Sequence, residues 1–562
     1  MAAMWTLVPS TNLWLEECSV NGNLPCGIYA GGRAIADGQT IDLPLEKSNA
    51  IALNRKVSEL ELVDSCGRST LTLSFPSPQT VFVQDMRGFG CDWFSLRLLA
   101  GHSFSAGQAV KIGFALAFPD RESVELMPPG KFVPRAGDHW LPVRLPSRIE
   151  VGSAADFSSL RGETSESPAD AYGYLTVRDG HFEYERLPGV VQRFYGINLC
   201  YDVCYPKSAA EAESLCALLA ASGYNAVRLH LYDRDLTENG LVPKRGWLER
   251  MDLLVDACIR HGLLITTDLY CQRPTPGYEP FKSVVQFDEN AFSNQVAFVR
   301  IFLGHRNSIT GRRYAEEPVI ALVSLMNEGM LAYLKTPGRT SAVYALMNRQ
   351  WIDWLTRKHS AGRWLDVVGD LPEMTDAYGA DRKKAGMRAF YAEKEASFAS
   401  RMKRIIRDEL GCKALLSSLN CGEVPVEYAA LRRDNFDYTD SHFYWDHPHF
   451  LKGSWWVPTR AGNAAGNPLR SLGFGRQVGR RFENQPMTWT EFNYCIPGRY
   501  RALSGLLTAA NAVYDRWDGA WRFCWCDDRG SAADNSGRPI RSWFSVANDM
   551  TTLASERAVA AL

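Results

Sequence analysis

From Arg193 to its C-terminus the chain repeats one rhythm, a short apolar run of strand character followed by a longer stretch with helical spacing. Eight runs fall at 194–198 (FYGIN), 226–231 (AVRLHL), 263–269 (LLITTDL), 319–326 (VIALVSLM), 413–419 (KALLSSL), 438–444 (YTDSHFY), 486–491 (PMTWTE) and 519–525 (GAWRFCW). Helical stretches include 209–222, 247–261, 342–358, 392–410 and 501–516, with a last one from Ala554 to Leu562. Such alternation demands parallel strands, because a crossover helix must return the chain to the same end of the sheet. Eight consecutive units predict an α/β fold, a closed (β/α)8 TIM barrel. An open doubly wound sheet competes, but no glycine-rich phosphate loop follows the first run.

The first 150 residues obey a different period. Leu71-Thr72-Leu73-Ser74-Phe75, Val81-Phe82-Val83 and Val110 to Leu116 alternate with period two, and Phe75-Pro76-Ser77-Pro78 reads as a turn between two of them. This pattern predicts an antiparallel β-sandwich. Residues 152–172 are small, polar and charged, as in a linker. Asp179-Gly180, inside Leu175 to Tyr184, signals a tight hairpin. The expected division is therefore 1–172 for sandwich plus linker and 173–562 for the barrel.

Bulk properties exclude more than they assign. Lys and Arg number 62 against 63 Asp and Glu, so there is no electrostatic footprint for nucleic acid or an anionic membrane. No apolar run reaches the roughly 20 residues that span a bilayer. The 14 cysteines are scattered; Cys200/Cys204 and Cys524/Cys526 lie close in sequence but no Cys/His set completes a zinc pattern, so reduced, mostly buried thiols and no metal are expected. MAAMWTLVPS lacks a basic segment leading into an apolar one, which points to a cytoplasmic protein, or a secreted or periplasmic one if a leader has been removed. Sixteen tryptophans suit sugar platforms and a large core equally.

Two carboxylates carry the chemistry. Glu328 closes Val323-Ser324-Leu325-Met326-Asn327-Glu328, and Glu491 closes Met487-Thr488-Trp489-Thr490-Glu491. Each stands where a buried strand meets its loop, the edge at which parallel barrels place their chemistry. A pair of carboxylates facing one cleft is what cleavage of a glycosidic bond requires. Glu328 would otherwise be a first-turn acid favoured by the dipole of the following helix.

Several motifs stand in order around that pair: the hairpin leading into Phe194-Tyr195-Gly196-Ile197-Asn198, then Asn225-Ala226-Val227-Arg228-Leu229-His230, Asn327-Glu328, His442-Phe443-Tyr444, Glu491 and Trp525. From about residue 174 to the end this set resembles the retaining (β/α)8 glycoside hydrolases of clan A. The resemblance implies that Glu328 is the general acid/base and Glu491 the nucleophile. Keeping the Glu328 proton requires a partly apolar site beside the charge of Glu491. Arg228 would hold Glu491 ionised, and Tyr444 would donate its hydroxyl to it. Asn327 would bond the sugar 2-hydroxyl, while His230 and His442 line the floor. Trp525 would be the platform under the reacting sugar. Asp268, Asn198, Trp445 and the pair Trp455-Trp456 are further pocket candidates.

The stretch between Glu328 and Glu491 is longer than three compact βα units need. Its excess lies in 361–391 and 446–483, loops expected to wall off a pocket and favour exo-action. The expected activity is hydrolysis of β-galactosides, β-glucosides or β-mannosides by double displacement, without a cofactor. An endo-β-glycanase with the same pair, and a non-catalytic carbohydrate-binding protein, are the alternatives. The partner expected is a carbohydrate substrate, with no nucleic acid and no membrane; assembly as a homo-oligomer stays open.

Overall fold

The computed structural model describes residues 2–119 except 16 and 90, and 149–561 except 151, 155, 162–167, 239–240, 279–280, 335–336, 373–380, 422–425, 452–458, 463–480, 497, 528 and 533–542. The chain divides into two compact units, Met1–Pro142 with Phe450–Arg460, and Val143–His449 with Ala461–Leu562. The boundary expected at 172/173 therefore falls inside the second unit.

In the first unit the strands are antiparallel, as their period requires; eight of them form one continuous sheet, and Leu13–Trp14 pairs separately with Ser103–Phe104. The strands Ile51–Val63 and Ser69–Asp85 run through both halves of it. Ser69–Asp85 pairs with Val110–Ala117 through residues 72–74 and with Trp93–Leu99 through residues 80–85. The Pro76–Pro78 segment, expected as a turn, lies inside this single strand. The ladder to Ile51–Val63 shifts register there, between Val57 and Glu59, so prolines without an N–H sit where pairing is interrupted. A core of Val57, Leu60, Leu62, Val81, Val83, Phe94 and Leu96 is buried against this sheet.

The second unit opens with the hairpin Leu175–Arg178 and His181–Tyr184. Arg178 pairs with His181, and Asp179 and Gly180 both take positive φ, 49° and 75°, as a two-residue turn of this hand requires. Then come eight parallel strands: β1 (Phe194–Cys200), β2 (Ala226–His230), β3 (Leu264–Asp268), β4 (Ile320–Ser324), β5 (Leu415–Ser417), β6 (Thr439–Asp446), β7 (Met487–Tyr494) and β8 (Gly519–Arg522). All eight overlap the runs read from the sequence. Their spatial order, 5-4-3-2-1-8-7-6, is that of a (β/α)8 barrel cut once. No ladder joins β5 to β6 among the described residues. Asp437 N donates to Leu416 O across that seam (2.9 Å), and Leu416 N donates back to Asp437 Oδ2 (2.8 Å).

Helices connect the strands: α1 (Ala209–Ala221), α2 (Trp247–Arg260), α3 (Glu289–Gly304), α4 (Ala342–Ser360), α5 (Arg382–Arg404), α6 (Val426–Asn435), α7 (Leu503–Tyr514) and α8 (Met550–Ala561). Capping side chains set several starts. Ser208 accepts from Glu211 N, Asp288 from Asn290 N and Ala291 N, and Ser341 from Val343 N and Tyr344 N. α5 begins ten residues earlier than expected, capped by Asp381, so part of the segment 361–391 is helix rather than loop. No described helix is long and apolar enough to cross a membrane.

The hairpin packs Phe182 against Tyr438 and Phe194 at the N-terminal mouth of the strands, and Trp521 lies beyond Phe194 with its ring tilted 32° to it at 6.3 Å. Trp521 fills the interior so closely that a Cβ on Gly196 would lie 2.2 Å from its indole ring. With that mouth filled by apolar rings, the polar residues of the strands collect toward the opposite, C-terminal ends.

Candidate active site

Arg228 on β2 is the hub. Its guanidinium is 1% exposed. Nη1 donates to Glu491 Oε1 (2.7 Å) and Asn198 Oδ1 (3.0 Å), while Nη2 donates to Asn327 Oδ1 (2.8 Å) and pairs with Asp268 Oδ2 (2.8 Å). Parallel register explains the convergence: Asn198, Arg228 and Thr266 are lateral neighbours on β1, β2 and β3. Asn198 and Asp268 are themselves fully buried. Asn198 Nδ2 is spent on Thr490 O and Arg522 O, so it orients Arg228 rather than facing a ligand. Asp268 does the same from β3 while receiving His230 Nδ1 (2.9 Å).

Glu491 reaches the interior through a β-bulge. Ser441 pairs with Trp489 and His442 with Glu491, leaving Thr490 as the extra residue of β7. Glu491 Oε2 accepts the Tyr444 hydroxyl (2.8 Å), and His442 Nδ1 lies 3.5 Å from it. Burial pushes the Glu491 carboxyl up, but His442, Arg228 and His230 outweigh it and hold the group down at about 2. Burial and the Glu491 charge push the Tyr444 hydroxyl well above its ordinary range, so it acts as a donor.

Glu328 follows β4 in a left-handed backbone conformation, φ 46°, a geometry that costs about 1–3 kcal/mol for a residue other than glycine. Its N–H is held by Asn420 Oδ1 (2.7 Å), and its Oε1 accepts from His442 Nδ1 (2.9 Å). One Glu328 oxygen, a His442 ring nitrogen and one Glu491 oxygen all lie within 4.8 Å of one another. Lys282 Nζ donates to Asn327 O, and beside it a cavity of about 440 Å³ is lined by Tyr270, Gln272, Tyr278, Phe281 and Lys282.

The two histidines are driven apart. Burial and the Arg228 charge lower the His230 pKa, so the neutral ring donates Nδ1–H to the ionised Asp268. Burial lowers His442 too, but the Glu491 and Glu328 carboxylates outweigh it and raise its pKa. A second cluster, His230, Asp268 and Cys271, also lies within 4.8 Å. It is not arranged for a metal: Asp268 Oδ2 is taken by Arg228 and His230, and burial keeps the proton on the Cys271 thiol.

Trp525 corrects an expectation. It is 0% exposed, packed in the main core, with Nε1 donating to Ala532 O (2.7 Å), so no face is open to a sugar. Half-buried Phe523, two residues earlier, borders the site instead, meeting His230 edge-on at 5.6 Å and Tyr444 at 6.1 Å. Trp445 is also core rather than pocket, its Nε1 bonded to Thr508 Oγ1. Trp455 and Trp456 lie outside the described residues. Sequence reading missed Asn420, Asp440, Thr490 and Phe523; of these only Phe523, an aromatic at the end of β8, had a visible signal. The fourteen cysteines are unpaired and most are buried.

No family model and no curated protein matches the sequence. Among solved structures the chain is similar to the endo-1,4-β-mannanase from Rhizomucor miehei (12% identity, TM-score 0.44), covering 69% of this chain and 99% of that one. It is also similar to the endo-β-1,4-mannanase from Thermotoga petrophila (15%, 0.44; 66% and 77%). A third is the β-galactosidase from the haloarchaeon Halorubrum lacusprofundi (14%, 0.44; 66% and 57%).

Proposed function

We propose that this protein is a retaining β-glycosidase of the clan A type, built on a (β/α)8 barrel with an accessory N-terminal unit of antiparallel strands. The observation that carries the reading is the approach of Glu328 and Glu491 oxygens to within 4.8 Å at the C-terminal ends of β4 and β7. Retaining enzymes place the carboxyls about 5–5.5 Å apart, whereas inverting enzymes leave about 6.5–9.5 Å for a water.

In this reading Glu491, kept ionised by Arg228 and His442, attacks the anomeric carbon. Tyr444 donates to Oε2, orienting the carboxylate so that one lone pair is aimed at the sugar. Glu328 protonates the departing glycosidic oxygen, then removes a proton from the water that releases the sugar. Asn327 Oδ1 is already bonded to Arg228, which turns its amide nitrogen toward the sugar 2-hydroxyl. Phe523 lies beneath the ring, and the cavity beside Lys282 has room for a neighbouring sugar. The substrate class is a β-linked galactoside, glucoside or mannoside, taken from a chain end.

A panel of aryl β-glycosides tests this, together with Glu491→Gln. Release of aryl alcohol by the wild type, its loss in the variant and retained binding of the same glycoside are the expected results. A wild type that binds glycans and turns over none of them would sink the proposal and favour a carbohydrate-binding protein. Random internal cleavage of a polymer with no terminal release would replace the exo reading by an endo one.

A further inference from the structure

Asp440 on β6 touches neither carboxylate of the pair, yet two hydrogen-bonded paths lead from it to Glu328. It is 1% exposed and accepts from four donors: Thr488 Oγ1 (2.9 Å), Thr490 N (3.0 Å), Thr490 Oγ1 and Asn420 Nδ2 (3.2 Å). With donors on both oxygens, this carboxyl group acts as an acceptor. The single hydroxyl hydrogen of Thr490 is therefore spent on Asp440. Thr490 Oγ1 also lies 3.1 Å from His442 Nε2, toward which it has only a lone pair left to offer. Nε2 must then carry a hydrogen. Nδ1 faces two carboxyl acceptors, Glu328 Oε1 at 2.9 Å and Glu491 Oε2 at 3.5 Å, which favour a hydrogen on that nitrogen too.

We propose that Asp440 is a positioning residue, which through Thr490 fixes His442 as an imidazolium clamped between Glu328 and Glu491. The inference rests on the glycosidase reading for its consequence but not for its geometry. The second path closes the circuit, since Asn420 bonds Asp440 with its amide nitrogen and Glu328 N with its oxygen. Asp440 thereby governs both ends of Glu328, the strained backbone and the carboxyl. With Oε1 occupied by His442, Oε2 is the Glu328 oxygen left to meet a leaving group.

Among the described residues, the charged groups acting on His442 are Glu328 after β4, Glu491 on β7 and Arg228 on β2, with His230 and Tyr444 meeting Glu491 and Asp440 linked through Thr490. The two carboxylates next to the ring outweigh Arg228, and burial of the cation is compensated by bonds at both nitrogens.

The test uses the full chain carrying 15N-histidine, with the His442 signal assigned from His442→Gln. In the wild type both ring nitrogens stay protonated above the ordinary histidine range near 6.5. In Asp440→Asn the threonine hydroxyl is released to donate to Nε2. The His442 midpoint should fall by about one pH unit or more, a tenfold weaker hold on the proton. The acid limb of kcat/KM should move upward as Glu491 loses a neighbouring cation. Thr490→Val should repeat both shifts, and Thr490→Ser should restore both ring protons and the wild-type limb; this pair decides the matter if Asp440→Asn does not fold. A His442 midpoint and acid limb unmoved in Asp440→Asn and Thr490→Val would overturn the proposal. The ring spectrum needs no turnover, so a protein that hydrolyses no glycoside but shows the shift would refute the glycosidase reading and leave the Asp440 relay standing.

Discussion

Replacing Arg228 by methionine tests the charge balance on which the site stands. The guanidinium is buried and meets two carboxylates, Glu491 at 2.7 Å and Asp268 at 2.8 Å. Methionine fills much of the same space, so charge and hydrogen-bond donors are lost rather than packing. Removing one partner of a buried pair costs about 3–5 kcal/mol, because the other charge is left unpaired. Here one cation serves two anions, which places the expected loss near the upper end, about 5 kcal/mol at neutral pH. With a urea slope of about 3 kcal/mol per molar, the unfolding midpoint should fall by about 1.7 M. The loss must also depend on pH in one direction. Glu491 is pushed down from 4.5 to about 2 in the folded protein, so its contribution is present above pH 4.5 and is lost as the pH falls through 2. The variant lacks much of that contribution. The gap between the two proteins should be complete above about pH 5 and should narrow on acidification. Urea titrations of both proteins across that range are the assay. Equal midpoints at neutral pH, or a gap that widens as the pH falls, would refute the assignment of Arg228 as the cation that holds both carboxylates.

Two further substitutions separate sites from scaffold. Phe523→Ala should lower kcat/KM about tenfold through loss of the aromatic face, whereas Trp525→Ala should cost about 3–5 kcal/mol of stability; thermal unfolding and steady-state kinetics on both variants check this, and the opposite pattern would return the platform to Trp525. Glu556 on α8 forms an ion pair with Arg522 Nη2 and accepts the hydroxyls of Tyr195 and Tyr224, so Glu556→Ala should leave a fully buried guanidinium without its carboxylate and cost about 3–5 kcal/mol by urea unfolding. A loss below about 1 kcal/mol would show that the C-terminal helix is not anchored by this cluster.

The parallel strands were legible because strands buried on both faces read as unbroken apolar runs. Ile320–Ser324 is buried at every position, as is Ala226–His230. Helix starts were harder to see. α3 is rich in Phe and Val, so its composition argues for strand while its apolar positions keep helical spacing, and tertiary burial of Phe292, Phe298 and Phe302 settles it. α5 begins in a run of Arg and Lys that carries little apolar signal, and the Asp381 cap marks its start instead. In the first unit, two prolines looked like the end of a strand. A register shift in the neighbouring ladder absorbs them, and that information belongs to the partner strand rather than to the prolines.

The site divides along the same line. Glu328, Glu491, Arg228, His442 and Tyr444 could be named in advance because each closes or lines a strand whose run is visible. Thr490 and Asp440 could not, since strict alternation sends Thr490 and Glu491 to opposite faces. The bulge opposite Ser441 and His442 breaks that alternation and lets both face inward. Without it β7 could present the Glu491 carboxylate or the Thr490 hydroxyl to the interior, but not both. The position of the Glu491 carboxylate and the link from Asp440 to His442 therefore depend on one irregularity in the pairing of β6 with β7. A period read along a single strand contains no trace of it, because a bulge is a relation between two strands.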